Sequence, residues 1–286
     1  MKTRIENALA SALATAEREA PPKLAAALQD AVFPGGARVR PRLCLAVSEA
    51  CGGDAPRLAD AAACALELLH CASLVHDDLP CFDDAALRRG RPSVHRAYGE
   101  SLAVLAGDAM IIMAFDVIAH AGAERPRRLA PLLTTVSRAV GTPHGIVAGQ
   151  AWESEANPPL ERYHRAKTGS LFVGAAMAGA IAAGADPAPW RAMGERLGEA
   201  YQVADDLLDA HAGPEEAGKP TGQDAALVRP SAVGTLGTEG ALTKLRELVG
   251  QATAAVPDCP GAGDLRGLVV AMAEHLVPAG LRQSAA

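Results

Sequence analysis

The stretch from Pro56 to Asp78, "PRLADAAACALELLHCASLVHDD", limits what this chain can fold into more than any other. Its alanines and leucines recur with helical spacing. Proline at its start suits a first helical turn, where the amide donor is dispensable. A helix this apolar must be covered by other helices. Yet it ends in two carboxylates, and Asp83 and Asp84 follow within "HDDLPCFDDAALRRG". Crowded carboxylates repel each other and are tolerable in a partly buried place only beside something cationic. The candidates are Arg88, Arg89 and Arg91, a metal ion, or plain water.

The rest of the chain supplies the cover. Hydrophobic residues make up 49% and aromatics only 3%, so the core must be built from Ala, Leu and Val, which favours helices over strands. Periodicity predicts helices over about 4–19, from 23, and over 40–52, 101–121, 130–139, 146–151, 170–183 and 187–210, with three or four shorter ones from 227. "FPGG", "GGD" and "HAGPEEAGKPTGQD" are breaks. No strand alternation, short repeat or linker is evident, so residues 1–286 are expected to form one all-α domain. The apolar run from Leu171 to Ala185 is too short for a bilayer, and the charged N-terminus has no signal-like core, so no membrane span is expected. A net charge of −6 argues against a nucleic-acid partner. Six cysteines without a C-x-x-C pair fit a reducing cytoplasm.

Two acidic clusters carry the chemistry. In "YQVADDLLDAH", Asp205 and Asp209 are four apart and share a helix face, with no cation at i+4. Alone, that cluster reads as a solvated acidic face. The first cluster changes the balance. On an unbroken helix Asp77 and Asp83 would lie roughly 120° apart. Pro80 disrupts such a helix, and the resulting bulge would swing Asp83 back beside Asp77. Two such clusters suggest facing carboxylate walls. Oxygen ligands select hard cations, and Mg²⁺ characteristically joins one or two carboxylates to substrate phosphates. Arg38, Arg40, Arg88, Arg89, Lys167 and Lys219 are candidate phosphate donors, and His70 lies seven residues before Asp77, on about the same face.

With these residues in order, the chain resembles the trans-isoprenyl diphosphate synthases over nearly its whole length, and most closely the bacterial carotenoid-type geranylgeranyl diphosphate synthases. "GGARVRP", "HDDLPCFDDAALRRG", "GQ" at Gly149-Gln150, "KTG" at 167–169, "YQVADDLLD" and "GKPTGQD" are similar to that family's motifs, in its order. The resemblance implies an isoprenoid synthase helical bundle around a deep central cavity, usually homodimeric. It implies condensation of isopentenyl diphosphate with dimethylallyl, geranyl or farnesyl diphosphate. Asp77 and Asp83 would hold two Mg²⁺ ions and Asp205 a third. Arg88, Lys167 and Lys219 would bind the allylic diphosphate, and Arg40, His70 and Arg89 the isopentenyl diphosphate. Thr168 and Gln202 would face the carbocation. No separate His or Glu base is expected, since released diphosphate can take the proton.

One departure is Ala37, where the family motif has a Lys that contacts isopentenyl diphosphate; Arg38 is the neighbouring cation that would compensate. Far downstream, "VRPSAV" departs from a different family segment and is assigned no role. Product length should be set along the helix that ends at Asp77. Five residues before the first Asp, farnesyl-making bacterial relatives commonly carry an aromatic floor; here Ala72 and Ser73 leave room, and Leu69 is the next stop. A C20 product is expected, ahead of C15. The competing readings are a catalytically silent, partner-modulating family member, a terpene cyclase or head-to-head synthase, and a plain helical scaffold.

Overall fold

The computed structural model describes residues 1–33, 36–156, 159–211 and 231–274. Their regular secondary structure is helical apart from one small hairpin. The chain divides into two compact units. One comprises Met1–Glu49, Gly53–Val136 and Ala178–Ala185; the other comprises Ala50–Gly52, Ser137–Met177 and the described residues from Asp186 onward.

The first unit is built on α4 (Pro56–Asp77), the apolar helix singled out above. Around it lie α1 (Lys2–Glu17), α2 (Pro22–Val32), α3 (Val39–Ala50), α6 (Glu100–Gly122) and most of α7 (Pro126–Val140). Proline occupies the first turn of α4, and its leucines at 58, 66, 68 and 69 are buried among alanines. Each buried leucine contributes about 1.5–3 kcal/mol. Small residues let the helices approach closely. At Gly107 on α6, a Cβ would stand 2.0 Å from His76 Nε2. The glycine therefore lets the His76 ring reach the Val104 carbonyl, 3.3 Å away, and fixes the end of α4 just before Asp77.

Beyond Asp77 the helix stops. The chain turns through Pro80, pairs β1 (Leu87–Arg88) with β2 (Arg91–Pro92) around Gly90, and enters the short α5 (Val94–Tyr98). This antiparallel hairpin is too short to show strand alternation in the sequence. It is where three arginines are placed.

The second unit contains α8 (Ile146–Trp152), α9 (Leu160–His164), a π-helical turn (Arg165–Gly169), the first part of α10 (Ser170–Ala182), α11 (Trp190–His211), α12 (Ala232–Ala254) and α13 (Ala262–Glu274). Helices α11 and α12 share an apolar seam made by Val203, Leu207, Leu242, Leu245 and Leu248. At Gly237 the backbone is non-helical, at φ 70° and ψ 172°, so the described tail holds a short helix before that glycine, a longer one after it, and α13, where three or four shorter helices were expected.

Helices α4 and α6 both have the length and hydropathy of a membrane span. In α4, 78% of that window is buried within the protein, as in a core helix; in α6 the share is 33%.

Candidate active site

In the first unit the acidic motif folds as its proline demands. The Asp83 amide donates to the Asp77 carbonyl at 3.0 Å, which brings the two residues together. Asp77 is half-buried and Asp83 exposed. Their neighbours Asp78 and Asp84 are engaged differently. Asp78 is buried and accepts a two-nitrogen fork from Arg88, through Nε at 3.0 Å and Nη2. Burial pushes the Asp78 carboxyl above the usual carboxylate range, and the Arg88 bond pulls the other way. Asp84, at φ 45°, accepts from Arg96 Nη2 at 2.8 Å and lies 3.5 Å from His95 Nε2. Neutralised by Arg88 and Arg96, Asp78 and Asp84 can stand beside Asp77 and Asp83 without a run of uncompensated repulsion.

Arg40, His70 and Arg89 also gather here. Arg40 Nη1 lies 3.4 Å from His70 Nε2, and the Arg89 guanidinium packs against Gly36, where a Cβ would be 3.1 Å from Nη2. A side chain at position 36 would have to displace that guanidinium. His70 keeps a partly open edge. Burial first, then the charges of Arg40, Arg89, Arg88 and Arg38, holds its pKa well below 6.5. A neutral imidazole among guanidinium groups is what a phosphate site needs before its ligand arrives: a hydrogen-bonding ring that adds no repulsion.

Because the folded state resists this proton while the unfolded chain accepts it near pH 6.5, stability associated with His70 is present above that pH. It is lost as pH falls from 6.5 toward the depressed folded pKa. His70→Gln is therefore expected to flatten the acid limb, where one such group contributes up to about 1.4 kcal/mol per pH unit. Urea unfolding of both proteins between pH 5 and 7.5 measures it; parallel curves would contradict a neutral His70.

Arg38 takes another role. Its side chain is fully buried and donates to Glu67 at 2.6 Å, to Glu6 at 3.0 Å and to the Val32 carbonyl at 2.8 Å. Burial acts to lower its pKa, but the Glu6 hydrogen bond and the Glu67 charge outweigh that, so the guanidinium is held above its ordinary value. The expected compensation for Ala37 by Arg38 is thus corrected: Arg38 belongs to the core, and Glu67 in "ALELLH" is the partner that claims it.

All three chain-length residues lie on α4. Ser73, four residues before Asp77, shares its face and donates to the His70 carbonyl at 2.8 Å. Ala72 and Leu69 are buried, at 1% exposure each. Ala72 lies roughly 140° round the helix from Asp77.

The second unit assembles its residues on the π-helical turn and α11. The turn approaches α8 at Gly149, where a Cβ would lie 2.4 Å from the Lys167 nitrogen. Lys167 Nζ donates to Glu153 at 2.5 Å, and Glu153 also accepts from the Tyr163 hydroxyl at 2.6 Å and from Gln150 Nε2 at 3.0 Å. Glu153 and Tyr163 carry no motif visible in the sequence. Thr168 Oγ1 donates to Gln202 Oε1 at 2.8 Å. Gln202 Nε2 then donates to Asp206 Oδ1 at 2.9 Å, and Asp206 Oδ2 accepts from the Ala232 amide at 2.7 Å. Asp206 and Asp209 are buried while Asp205 is half-buried, so this is not a solvated acidic face. Lys219 lies outside the described residues.

Among the described residues no group of three or more His, Cys, Asp or Glu side chains is placed to hold a metal by itself. The adjacent Asp77 and Asp83 do fit Mg²⁺, which takes few protein carboxylates and leaves positions for phosphate oxygens.

The chain is similar to known proteins over most of its length. A family model described as "Polyprenyl synthetase" matches residues 21–262. The chain is 56% identical to a geranylgeranyl diphosphate synthase of Cereibacter sphaeroides, over 96% of each chain. It is 53% identical to another from Rhodobacter capsulatus, over 96% of this chain and 95% of that one. A crystal structure of a geranyltransferase from Helicobacter pylori, complexed with magnesium and isoprenyl diphosphate, superposes with a TM-score of 0.78 at 30% identity; the match covers 94% of this chain and 95% of that one.

Proposed function

The chain belongs to the polyprenyl synthetase family, with the all-α isoprenoid synthase fold, and is a trans-prenyltransferase; from that premise we propose that it makes geranylgeranyl diphosphate from isopentenyl diphosphate and allylic primers. The observation that carries the reading is the 56% identity to a geranylgeranyl diphosphate synthase along 96% of both chains. The single family model spanning 21–262 supports treating the two units as one catalytic domain.

Arg88, Lys167 and Lys219 bind the allylic diphosphate; Arg40, His70 and Arg89 bind isopentenyl diphosphate. Asp77 and Asp83 would hold two magnesium ions, and Asp205 a third. When bound, magnesium supplies charge neutralisation of the departing diphosphate. The guanidinium groups add fixed donors around the same developing anion. Opposite in charge is the allylic cation, which the oxygens of Thr168 and Gln202 stabilise while apolar side chains exclude water. Released diphosphate accepts the final proton.

A homodimer suits the exposed apolar face of α6, where Val104, Leu105 and Ile112 are open to solvent, Ile112 at 69%. Asp108 and Asp116 are exposed on the same helix. Each would cost about 2.5–3.5 kcal/mol at the centre of a bilayer, so a second copy of the chain covers this face better than lipid does. All six cysteines are free thiols, which suits a cytoplasmic enzyme serving carotenoid or related isoprenoid synthesis.

The test is incubation with labelled isopentenyl diphosphate and dimethylallyl, geranyl or farnesyl diphosphate, with and without magnesium, followed by dephosphorylation and sizing of the alcohols. The expected product is C20, made only with magnesium. Products stopping at C15 would make the chain a farnesyl diphosphate synthase, and no incorporation from any primer would leave a silent, partner-modulating role. In the same assay Ala72→Tyr is expected to move the main product from C20 to C15. Unchanged chain lengths would remove Ala72 from the wall of the product channel.

A further inference from the structure

The four aspartates of the first motif are not equivalent. Asp77 and Asp83 are joined by a backbone hydrogen bond and reach solvent. Asp78 is 2% exposed and lies one helical step, about 100°, from Asp77. That step places it on another face of α4, in line with Cys71, Leu74 and Val75 at i−7, i−4 and i−3. Together with Arg88 these residues border a cavity of about 230 Å³.

The Asp78 carboxylate is occupied by Arg88. The side edge of the guanidinium, Nε and Nη2, is turned onto Asp78. A guanidinium has a second edge, formed by Nη1 and the outer hydrogen of Nη2, which matches a pair of phosphate oxygens. Holding one edge fixes the direction of the other, because the group is planar and rigid. Arg88, itself half-buried, otherwise sits at the end of a two-residue strand on a mostly exposed hairpin, with a flexible side chain.

We propose that Asp78 is a positioning residue for the allylic substrate: it ligates no metal, and it aims the free edge of Arg88 at the allylic diphosphate. This rests on the assignment of Arg88 to that diphosphate. The Asp77 carboxylate cannot serve instead, since it lies on a different face of the helix. Asparagine at 78 would keep the volume but lose one acceptor oxygen and the charge, so the fork would open and Arg88 would sample other directions.

The test is a double-mutant cycle of Asp78→Asn and Arg88→Ala, read by steady-state kinetics and by calorimetric titration with geranyl diphosphate in the absence of isopentenyl diphosphate. Asp78→Asn is expected to raise KM and weaken binding of the allylic diphosphate about ten- to hundredfold. The KM for isopentenyl diphosphate and the magnesium concentration at half-maximal rate should not move. Adding Asp78→Asn to Arg88→Ala should cause no further loss, because the two residues act as one unit. A shifted magnesium midpoint with unaltered allylic binding would make Asp78 a metal ligand and overturn the proposal. Additive losses would overturn it too. If Arg88→Ala leaves allylic binding intact, the assignment of Arg88 fails instead. Should Asp78→Asn not fold, Asp78→Glu displaces the fork by one methylene and keeps the charge: weakened allylic binding supports the proposal, and wild-type binding overturns it.

Discussion

Asp77→Asn is expected to lower kcat by about 10²- to 10³-fold at saturating substrates, the loss typical of removing one preorganised electrostatic contact to a developing charge. Asparagine keeps the size and one oxygen of the native side chain, so the loss reports charge. Restoring the rate should demand much higher magnesium. Asp83→Asn should act alike, and the double substitution should fall well short of the product of the two, because both carboxylates serve adjacent positions. Thermal unfolding should be unaffected or slightly raised, since the Asp77 charge works against that of Asp78. Kinetics across a magnesium titration, with calorimetric melting beside it, measure both. A variant that loses stability but turns over normally would make Asp77 a scaffold residue.

Glu67→Ala is the second large effect, and it acts on the fold. It strands the buried Arg38 guanidinium with Glu6 and a backbone carbonyl as its remaining acceptors. Removing one member of a buried ion pair costs about 3–5 kcal/mol, whereas replacing both with apolar groups is often neutral. Urea unfolding should therefore show a large loss for Glu67→Ala and substantial recovery for Arg38→Met combined with Glu67→Met. The recovered protein should keep its KM for isopentenyl diphosphate. A raised KM would return Arg38 to the substrate site in place of the lysine that Ala37 lacks.

The helices were legible because their boundaries are written in prolines and glycines. Pro56 opens α4, and Pro80 guarantees that the chain leaves it, which is why Asp83 could be expected beside Asp77. The pairing of Arg40, His70 and Arg89 was reached through family motifs rather than through spacing. Arg38 was misread for a physical reason. A cation after two glycines looks the same whether it meets a substrate or a carboxylate, and only the distant Glu67 decides. A lone acid inside "CALELLH" was the available signal, since a charge in an apolar helix needs a partner. Glu153 was hidden because it lies just past the end of α8 while Lys167 sits in the π-helical turn, so no helical period relates the two in the sequence.

A glutamine amide has nearly the same outline from either side, but its two ends carry opposite partial charge. Asp206, as a carboxylate, can only accept, so it captures the NH₂ end of Gln202 and leaves the oxygen end for Thr168. That carboxylate is in turn held by the first amide of α12. The electrical polarity presented next to Thr168 is thereby set by Asp206, and the opening turn of a different helix holds that carboxylate in place. A descendant that preserved every substrate-contacting side chain but lost the carboxylate at 206 would retain the contour of the pocket and forfeit its sign.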